Sequence, residues 1–547
     1  MADHLLDVRN LSVEFHTASG VVHAVKDVSY HIDRGETLAI LGESGSGKSV
    51  SSSAIMNLID MPPGHISSGQ ILLDGQDLLT MPAEARREIN GRRIAMIFQD
   101  PLSHLNPVYT VGWQIREAMT THGMDKAKAE AEARRLVARV GIPDPDGALK
   151  KYPHEFSGGQ RQRVMIAMAL ALRPDLLIAD EPTTALDVTV QAEVLSLLKE
   201  LQRETGMAVL IITHDLGVVA EIADRVVVME KGVLVEAGTV REVYRNPQNP
   251  YTRKLISAAP GRGDMHEPQA VGEALLSVRD VRKRYGAFEA LKGVSFDLME
   301  GETIAVVGES GSGKSTLARI LLRLDEPDAG SALWKGRDLF KLPPAELFAL
   351  RRDLQMVFQD PTQSLNPRMT VFQLISEAWV IHPEILPKAR WRERVAELLH
   401  QVGLSPEHVR RYPHQFSGGQ RQRIAIARAL ALEPKLIICD EAVSALDVSV
   451  QAQVIALLDK LRREMGLSFI FIAHDLPVVR DFADHVMVMQ RGEVVEFGTV
   501  RQVFEAPREA YTRALLSASL DPDPDMQSQR HSAVAGDAIG NSSGVLS

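Results

Sequence analysis

Two glycine-rich stretches of the sequence have the residue types and spacing of a phosphate-binding loop. The pattern G-x-x-x-x-G-K-[ST] occurs at 42–49 and again at 308–315. Glycines let such a loop wrap so that its backbone N–H groups point at phosphate oxygens, while the lysine adds a positive charge and the serine hydroxyl can bind Mg²⁺. The predicted phosphate-binding residues are Gly42, Glu43, Ser44, Gly45, Ser46, Gly47, Lys48, Ser49 and Val50 in the first loop, and Gly308, Glu309, Ser310, Gly311, Ser312, Gly313, Lys314, Ser315 and Thr316 in the second.

Carboxylate pairs end two apolar runs downstream of these loops, LLIADE at 176–181 and LIICDE at 436–441. An apolar run that ends in two acids would by itself fit an ordinary strand exit, but the preceding phosphate loops favour catalysis. One acid of each pair is then expected to bind Mg²⁺ and the other to polarise the attacking water. The predicted Mg²⁺ ligands are Asp180 and Asp440, with Ser49 and Ser315, and the predicted water-polarising residues are Glu181 and Glu441.

A histidine follows each carboxylate pair at the same spacing, at the end of another β-rich run. These residues are His214 in IITHD and His474 in FIAHD. An isolated histidine is usually an ordinary polar residue. Two histidines at identical spacing behind a strand next to a phosphate loop favour contact with a terminal phosphate.

The chain contains the same set of motifs twice, which predicts two homologous domains. GETLAILGESGSGKS at 35–49 returns as GETIAVVGESGSGKS at 301–315, and KYPHEFSGGQRQR at 151–163 returns as RYPHQFSGGQRQR at 411–423. We expect domains at 1–260 and 274–520. Residues 261–273 are polar and predict a short linker, and 521–547 lack periodicity and predict a disordered tail.

The elements that must position these residues are predicted to be mixed α/β. TLAILG, RIAMIF, LLIAD and VLIIT are typical of buried strands of a mostly parallel sheet, and AKAEAEARRLVARVG and VTVQAEVLSLLKELQRETG are typical of helices. The alternating early segments LLDVRNLSVEF, VSYHID and GQILLDGQDL predict a small antiparallel sheet beside the main one.

Composition narrows the class of protein. The 547 residues carry 61 Lys and Arg against 71 Asp and Glu, so the formal net charge is −10, which does not favour nucleic acid as a partner. The single cysteine, Cys439, excludes an intramolecular disulfide, a cysteine-based zinc site and an iron–sulfur cluster. No run reaches the roughly 18 apolar residues that a membrane span needs, and the first residues do not resemble a signal peptide.

Together these motifs resemble the nucleotide-binding subunits of ABC transporters over about residues 5–520. The most specific element is SGGQ at 157–160 and 417–420, similar to the family's signature. The resemblance implies two P-loop NTPase (ABC ATPase) domains, each with a parallel-sheet core, an antiparallel β subdomain and a helical signature subdomain. It also implies that ATP is bound with Mg²⁺ and hydrolysed.

Further site residues follow from this resemblance. Each ATP would be shared between the two halves, held by the phosphate loop of one half and the signature of the other. ALD at 185–187 and 445–447 resembles the family's cross-interface loop. The signature residues are Ser157, Gly158, Gly159 and Gln160, expected to face the ATP of Lys314, and Ser417, Gly418, Gly419 and Gln420, expected to face the ATP of Lys48. Gln99 and Gln359 match the loop glutamine that touches Mg²⁺, and Phe15 and Tyr285 align with the aromatic residue that stacks on adenine.

The two halves depart from each other at two places in these motifs. Val50 replaces the threonine that Thr316 supplies in the second half, so one hydroxyl donor to the phosphates is missing from the first site. EPTTALD in the first half becomes EAVSALD in the second. Because both glutamates, both histidines and both signatures are present, we expect two competent sites.

A finer resemblance is to the ATPases of dipeptide, oligopeptide and nickel importers, normally two separate proteins and here fused. It is carried by YPH(E/Q)FSGGQRQR, by QDP followed by LNP, and by the ending PYTRKLISAAP. This implies an ATP-hydrolysing motor on the cytoplasmic face of the cell membrane, bound to two permease subunits that receive solute from an extracytoplasmic binding protein. The solute could be a dipeptide, an oligopeptide, glutathione, nickel or an opine.

The alternative is a soluble tandem ABC ATPase that acts on ribosomes or DNA. Ribosome-acting relatives carry a long charged helical linker between the halves, and the DNA-repair type carries a coiled-coil insertion. The predicted linker at 261–273 is far too short for either. The sequence therefore favours the importer.

Overall fold

The computed structural model describes residues 4–17, 20–184, 186–263, 265–266, 274–444 and 446–526. These residues form two compact units, one built mainly from residues up to Ala259 and the other mainly from Pro260–Ser519. The predicted disordered tail lies outside the described residues from position 527 onward, as does most of the predicted linker. The predicted domain bounds therefore stay a prediction.

The described residues of the first unit form ten strands in two sheets. A six-stranded sheet has the order β10-β9-β3-β8-β7-β6, and a four-stranded sheet has the order β2-β1-β4-β5. The strands are β1 Leu6–Thr17, β2 Gly20–Ile32, β3 Thr37–Leu41, β4 Gly64–Leu73, β5 Gln76–Asp77, β6 Ile94–Ile97, β7 Leu176–Asp180, β8 Ala208–Thr213, β9 Arg225–Glu230 and β10 Val233–Thr239.

The larger sheet of this unit is parallel except at one edge. Strand β3 pairs in parallel with β8 and β9, and β7 pairs in parallel with β6 and β8. Only β10 runs antiparallel, against β9. All residues of β3, β7 and β8 are buried, as expected for parallel strands covered on both faces. The predicted strands TLAILG, RIAMIF, LLIAD and VLIIT are thereby confirmed.

The smaller sheet is antiparallel throughout, which confirms the prediction from the alternating early segments. Strand β1 pairs with β2 on one side and β4 on the other, and β4 pairs with β5. Leu6 and Val8 on β1 and, beyond a shift in the strand register, Leu11 and Val13 are buried in the core of this half. The small sheet therefore packs through one apolar face.

Helices of the first unit follow the predicted pattern, and the two long helices read from the sequence are present. They are α1 Lys48–Met56, α2 Ala83–Ile89, α3 Pro101–His104, α4 Val111–Thr120, α5 Lys126–Arg139, α6 Pro145–Ala148, α7 Gly158–Ala169, α8 Val188–Thr205, α9 Leu216–Ile222, α10 Val240–Arg245 and α11 Pro250–Ser257. Helices α3–α7 form a helical subdomain between β6 and β7, and the signature stretch begins α7.

The second unit repeats this architecture, with sheets in the order β16-β17-β18-β13-β19-β20 and β12-β11-β14-β15. Its strands are β11 Ala274–Tyr285, β12 Phe288–Met299, β13 Thr303–Val307, β14 Ala329–Trp334, β15 Arg337–Asp338, β16 Leu354–Val357, β17 Leu436–Asp440, β18 Ser468–Ile472, β19 His485–Gln490 and β20 Glu493–Thr499. Its helices are α12 Lys314–Leu321, α13 Pro344–Leu350, α14 Pro361–Ser364, α15 Val371–Ile381, α16 Trp391–Gln401, α17 Gly418–Leu430, α18 Val448–Met465, α19 Leu476–Phe482, α20 Val500–Glu505 and α21 Ala510–Ala518.

The helical subdomain of the second unit has its own packed interior. Trp379 on α15 is almost completely buried, and its indole N–H donates to the carbonyl oxygen of Ala431 at 2.9 Å. This bond satisfies the one polar atom of a large apolar side chain. It also joins α15 to the end of α17, the helix that begins with the second signature.

Candidate ATP-binding and hydrolysis sites

The predicted catalytic residues converge because three neighbouring parallel strands end at one edge of the sheet. In the first unit β3 ends at Leu41 directly before the phosphate loop, β7 ends at Asp180, and β8 ends one residue before His214. The register pairs Leu41 with Thr213 and Asp180 with Ile212. The carboxyl ends of adjacent parallel strands are where α/β proteins bind ligands.

The phosphate loop of the first unit surrounds the lysine side chain. Nζ of Lys48 donates to the carbonyl oxygens of Gly42 at 2.7 Å and Glu43 at 2.9 Å. Lys48 is the first residue of α1, and Gly47 before it has φ 98°, a left-handed conformation that favours glycine. A Cβ on Gly47 would also lie 2.3 Å from the carbonyl oxygen of Ala24. The sequence therefore requires glycine here for both conformation and space.

The phosphate loop of the second unit has the same arrangement. Nζ of Lys314 donates to Gly308 at 2.7 Å and to Glu309 at 2.9 Å, and Gly313 has φ 105°. Burial lowers the pKa of Lys314. Both loops end at a helix N-terminus, where the helix dipole and the unpaired N–H groups favour an anion.

The predicted Mg²⁺ ligands lie beside each other in both units. The Ser49 hydroxyl donates to Asp180 at 3.1 Å, and the Ser315 hydroxyl donates to Asp440 at 3.1 Å. Burial raises the pKa of Asp180 to about 6 and also raises the pKa of Asp440. A bound cation would favour the ionised form of such buried carboxylates. Hydroxyl and carboxylate oxygens are the hard ligands that Mg²⁺ takes, so the residues fit this ion.

Glu181 is held by the other residues predicted for the first catalytic site. Nε2 of Gln99 donates to its Oε2 at 2.6 Å, and Nδ1 of His214 lies 3.0 Å from its Oε1. Burial is the strongest single influence on the pKa of Glu181 and raises it, but the hydrogen bonds with His214 and Thr184 and the nearby charges of His214 and Lys48 together leave this pKa lowered. The φ of Glu181 is 46°, a left-handed conformation that is uncommon for residues other than glycine.

Glu441 occupies the equivalent position with a looser set of partners. Nε2 of Gln359 donates to its Oε2 at 2.6 Å, whereas Nδ1 of His474 lies 3.7 Å from the same oxygen. The interaction with His474 lowers the pKa of Glu441. Its φ is 47°, as for the glutamate in the first unit. The predicted glutamine, glutamate and histidine are therefore brought together in both units.

A threonine that sequence reasoning passed over also contacts the first glutamate. The Thr184 hydroxyl donates to Oε2 of Glu181 at 3.0 Å. At the equivalent place in the second unit, the Ser444 hydroxyl instead donates to the backbone carbonyl of Glu441 at 2.9 Å. The signal available in the sequence was the difference between EPTTALD and EAVSALD.

One tyrosine near the end of each half was also missed. Tyr251 and Tyr511 contact the phosphate loops through Glu43 and Glu309, respectively. The available signal was the repeated YTR in PYTRKLIS and AYTRALLS. Nothing in the spacing of YTR indicates that it meets a loop about 200 positions earlier in the chain.

The signature residues form a distinct feature at the start of α7 and α17. Ser157 is the N-cap of α7, and its hydroxyl accepts from the N–H of Gln160 at 3.3 Å while the Gln160 amide oxygen accepts from the N–H of Ser157 at 3.1 Å. Ser417 and Gln420 form the same capping box on α17. These contacts give the serine and glutamine a helix-capping role within their own units. The predicted contact of this stretch with ATP stays a prediction.

The two signature glycines have different local constraints. Nothing lies within 4 Å of a Cβ built on Gly158, whereas a Cβ on Gly159 would lie 2.5 Å from Cγ1 of Val190 on α8. Gly418 and Gly419 repeat this pattern, with Gly419 at 2.1 Å from Val450. The second glycine of each pair is thus required for packing against the following long helix.

The aromatic residues predicted to stack on adenine have different environments. Phe15 on β1 is partly buried against the core of its half. Tyr285 ends β11 and is 46% exposed, and its hydroxyl donates to Asp325 at 2.8 Å. An exposed ring at the end of a strand is available for stacking, but the adenine role of both residues stays a prediction.

Among the described residues, no helix is long and apolar enough to cross a lipid bilayer. The longest described helices, α8 and α18, have 18 residues each, and both contain several charged residues.

Comparison with protein families gives two kinds of match. The model described as "ABC transporter" matches residues 25–184 and 291–444. The model described as "Oligopeptide/dipeptide transporter, C-terminal region" matches residues 235–276 and 495–540. Each half of the chain therefore carries both regions in the same order.

Curated relatives match the chain over nearly its whole length. The glutathione import ATP-binding protein GsiA of Pectobacterium atrosepticum is 48% identical, with 98% of this chain and 92% of that protein covered. GsiA of Escherichia coli strain K12 is 47% identical, with 99% and 93% covered. The solved structure of cbiO1 from Clostridium perfringens, part of the ABC transporter complex cbiONQ, is 31% identical over 43% of this chain and 92% of that chain, with a TM-score of 0.40.

The chain has a duplicated α/β fold, and each half carries a complete set of nucleotide-site motifs. This agrees with the family matches in both halves and with the relatives that match nearly the whole chain. The chain belongs to the ABC transporter family, as an ATP-binding and ATP-hydrolysing subunit with two fused ATPase domains and the C-terminal region of the oligopeptide/dipeptide type.

Proposed function

We propose that this chain powers the import of a short peptide, and that glutathione is the first solute to test. The observation that carries the proposal is the match, at 47–48% identity over almost the whole of both chains, to proteins named for glutathione import. The oligopeptide/dipeptide C-terminal region in each half supports a peptide of this size. Two permease subunits would form the path, and an extracytoplasmic binding protein would deliver the solute.

The proposed chemistry assigns each group at the sheet edge a task. Lys48 and Lys314 would move from the loop carbonyls to the phosphates of ATP. Ser49, Asp180 and Gln99 would hold Mg²⁺ in the first site, which supplies positive charge to the phosphate oxygens. Ser315, Asp440 and Gln359 would do the same in the second site.

Hydrolysis itself would depend on the two glutamates. Ionised Glu181 and Glu441 would orient the attacking water and accept its proton, since their pKa values are held low by the adjacent histidines. His214 and His474 would contact the terminal phosphate. Such positioned groups supply much of the rate of phosphoryl transfer.

The family resemblance supports the remaining parts of the proposal. The signature of each half would complete the ATP site of the other, and the aromatic residues Phe15 and Tyr285 would stack on adenine. ATP binding would close the halves and hydrolysis would reopen them, which would drive the permeases. The chain would then be peripheral, held on the cytoplasmic face of the membrane by the permeases.

Uptake by cells that lack this chain tests the proposal. Cells complemented with the wild-type chain should take up labelled glutathione, and cells complemented with Lys48→Ala/Lys314→Ala should not. A labelled dipeptide and nickel serve as parallel solutes. If the chain restores uptake of only the dipeptide or only nickel, that solute replaces glutathione in the proposal. If cells without the chain take up all three solutes as well as cells that have it, the import function is refuted.

A further inference from the structure

The C-terminal region of each half reaches the phosphate loop of its own half. In the first unit the Tyr251 hydroxyl accepts a hydrogen bond from the backbone N–H of Glu43 at 3.2 Å. In the second unit the Tyr511 hydroxyl accepts from the N–H of Glu309 at 3.1 Å. The tyrosines lie near the N-termini of α11 and α21, within the part of each half matched as the oligopeptide/dipeptide C-terminal region.

The tyrosine and the lysine hold opposite ends of one peptide group. The N–H of Glu43 and the carbonyl of Gly42 belong to the same planar peptide. The N–H is bound to Tyr251, and the carbonyl accepts from Nζ of Lys48 at 2.7 Å. The first peptide of the phosphate loop is therefore fixed on both sides, and one of the two groups is the lysine assigned to the phosphates.

The second unit repeats this arrangement without exception. The Glu309 N–H is bound to Tyr511, and the Gly308 carbonyl accepts from Lys314 at 2.7 Å. Burial raises the pKa of the Tyr511 phenol, so this hydroxyl keeps its proton at neutral pH while its oxygen accepts the bond. The tyrosine–loop contact occurs in both units although the residues around the tyrosine differ. We infer that the fold of this region produces the contact.

A turn held by hydrogen bonds to a glutamate presents the tyrosine in each unit. The Glu236 carboxylate on β10 accepts from the N–H groups of Gln248 at 2.7 Å and Asn249 at 3.0 Å, and Asn249 caps α11 by accepting from the N–H of Tyr251 at 2.8 Å. These bonds tie the start of α11 to the edge strand of the core sheet. The tyrosine is thus held in place by its own segment before it meets the loop.

The equivalent turn in the second unit uses the same device. Glu496 on β20 accepts from the N–H groups of Arg508 at 2.9 Å and Glu509 at 3.2 Å. In each unit, therefore, a glutamate on the antiparallel edge strand fixes the turn. The residues whose N–H groups it binds differ between the two halves.

The C-terminal region of the first half contains another tyrosine whose counterpart in the second half lacks a hydroxyl. Tyr244 on α10 is buried, and its hydroxyl donates to the carbonyl of Leu216 at 2.8 Å. The second half has Phe504 at the corresponding place on α20. The fold of the region thus accommodates phenylalanine at that position, which makes Tyr244 a matched control for Tyr251.

We propose that Tyr251 and Tyr511 are positioning residues of the two ATP sites, each fixing the first peptide of its phosphate loop so that the lysine is presented to the phosphates. This inference rests on the proposed assignment of Lys48 and Lys314 to ATP. It makes the oligopeptide/dipeptide C-terminal region a structural part of each nucleotide site. The N–H groups of Glu43 and Glu309 are partly buried, and loss of their hydrogen-bond partner is unfavourable, so the loop would reorganise when the hydroxyl is absent.

The test is site-resolved binding of a non-hydrolysable ATP analogue with Mg²⁺ to the full-length chain. Lys314→Ala leaves the first site to be measured, and Lys48→Ala leaves the second. Tyr251→Phe should weaken binding at the Lys48 site by about threefold to tenfold, the effect of one lost hydrogen bond, and leave the Lys314 site unchanged. Tyr511→Phe should do the reverse.

Tyr244→Phe is the control, because it removes a buried hydroxyl from the same region without touching the loop. It should leave both dissociation constants within twofold. In steady-state assays, Tyr251→Phe should raise KM for ATP with a smaller change in kcat, and a thermal melt of each variant reports its folding. A general loss of structure would affect both sites and would lower the melting temperature.

Each outcome decides a separate point. If Tyr251→Phe binds the analogue as tightly as Tyr244→Phe does, or weakens both sites equally, the positioning role is wrong. If Lys48→Ala and Lys314→Ala themselves leave two full sites, the assignment of the lysines fails before the tyrosines are considered. If Tyr251→Phe does not fold, Glu236→Gln replaces it as the test, because this change weakens the turn that holds the tyrosine. Glu236→Gln should weaken binding at the Lys48 site and spare the Lys314 site, with a smaller effect than Tyr251→Phe. If Glu236→Gln shows no such selectivity, the proposal is overturned.

Discussion

Glu181 and Glu441 occupy equivalent positions, but different donors hold their carboxylates. Glu181 is bound by Gln99, Thr184 and His214 within 3.0 Å. Glu441 receives its 2.6 Å bond from Gln359, and its histidine lies at 3.7 Å. The first carboxylate is therefore restrained at both oxygens, and the two glutamates proposed to orient the attacking water are unequally restrained.

Thr184→Val should lower turnover at the first site. Its hydroxyl donates to an ionised carboxylate, and such bonds contribute about 1.5–3 kcal/mol, so a fall in kcat of about tenfold to a hundredfold is expected. KM for ATP should change less, because the threonine touches no phosphate-loop residue in the contacts described above. Measurement of ATP hydrolysis in a Glu441→Gln background isolates this site, and Thr184→Ser should retain most of the activity.

Ser444→Ala is the matched control for this prediction. Its hydroxyl bonds to a backbone carbonyl, so kcat in a Glu181→Gln background should stay within about twofold. A single glutamate-to-glutamine change could abolish hydrolysis at both sites. For that case, kcat of Thr184→Val is compared with kcat of Ser444→Ala in the otherwise wild-type chain. Equal effects of the two changes would contradict the unequal restraint of the glutamates.

The signatures and the ends of the phosphate loops lie at the N-termini of helices. Capping boxes begin both α7 and α10, at Ser157 with Gln160 and at Thr239 with Glu242. The first pair lies in the predicted nucleotide-contacting stretch, and the second lies outside every predicted site. The same local chemistry thus occurs both in a stretch predicted to contact the nucleotide and at a helix start outside every predicted site.

Ser157→Ala and Thr239→Ala should lower stability by similar amounts and activity by different ones. Loss of an N-cap typically reduces the free energy of unfolding by about 0.5–2 kcal/mol. We expect this loss for both variants in denaturant titrations monitored by circular dichroism. Only Ser157→Ala should also reduce ATP hydrolysis, and equal hydrolysis in the two variants would limit the serine to capping.

At the scale of the whole molecule, one chain carries two complete sets of site residues. Each unit has its own phosphate loop, carboxylate pair, glutamine and histidine, with the same Lys–carbonyl distances of 2.7 and 2.9 Å. Sequence duplication is therefore accompanied by duplication of the site geometry. Two molecules of ATP per chain are expected.

Lys48→Ala and Lys314→Ala should each reduce this stoichiometry from two to one. The lysine supplies the only side-chain cation of its loop, and its removal leaves the phosphates with backbone donors alone. Equilibrium titration with a non-hydrolysable ATP analogue and Mg²⁺ measures the number of sites. The double variant should bind none, and a wild-type stoichiometry in either single variant would refute the assignment.

The sequence by itself determined the fold class and most of the site. Buried parallel strands appear as short apolar runs, and G-x-x-x-x-G-K-[ST] specifies a loop through the conformational needs of its glycines. Strands β3, β7 and β8 and the positions of Lys48, Asp180, Glu181 and His214 follow from such local patterns. Parallel pairing then brings the ends of these strands together without further information.

Only the tertiary structure decided where individual hydroxyl groups point. Thr184 and Ser444 have the same chemistry and sequence position, but one hydroxyl reaches a carboxylate and the other a backbone carbonyl. Tyr251 meets Glu43 across about 200 positions of chain because an edge strand and a capped helix place it there. Such contacts depend on directions set by packing of distant segments, and hydrogen bonds weaken steeply when distance or angle changes, so no local pattern encodes them.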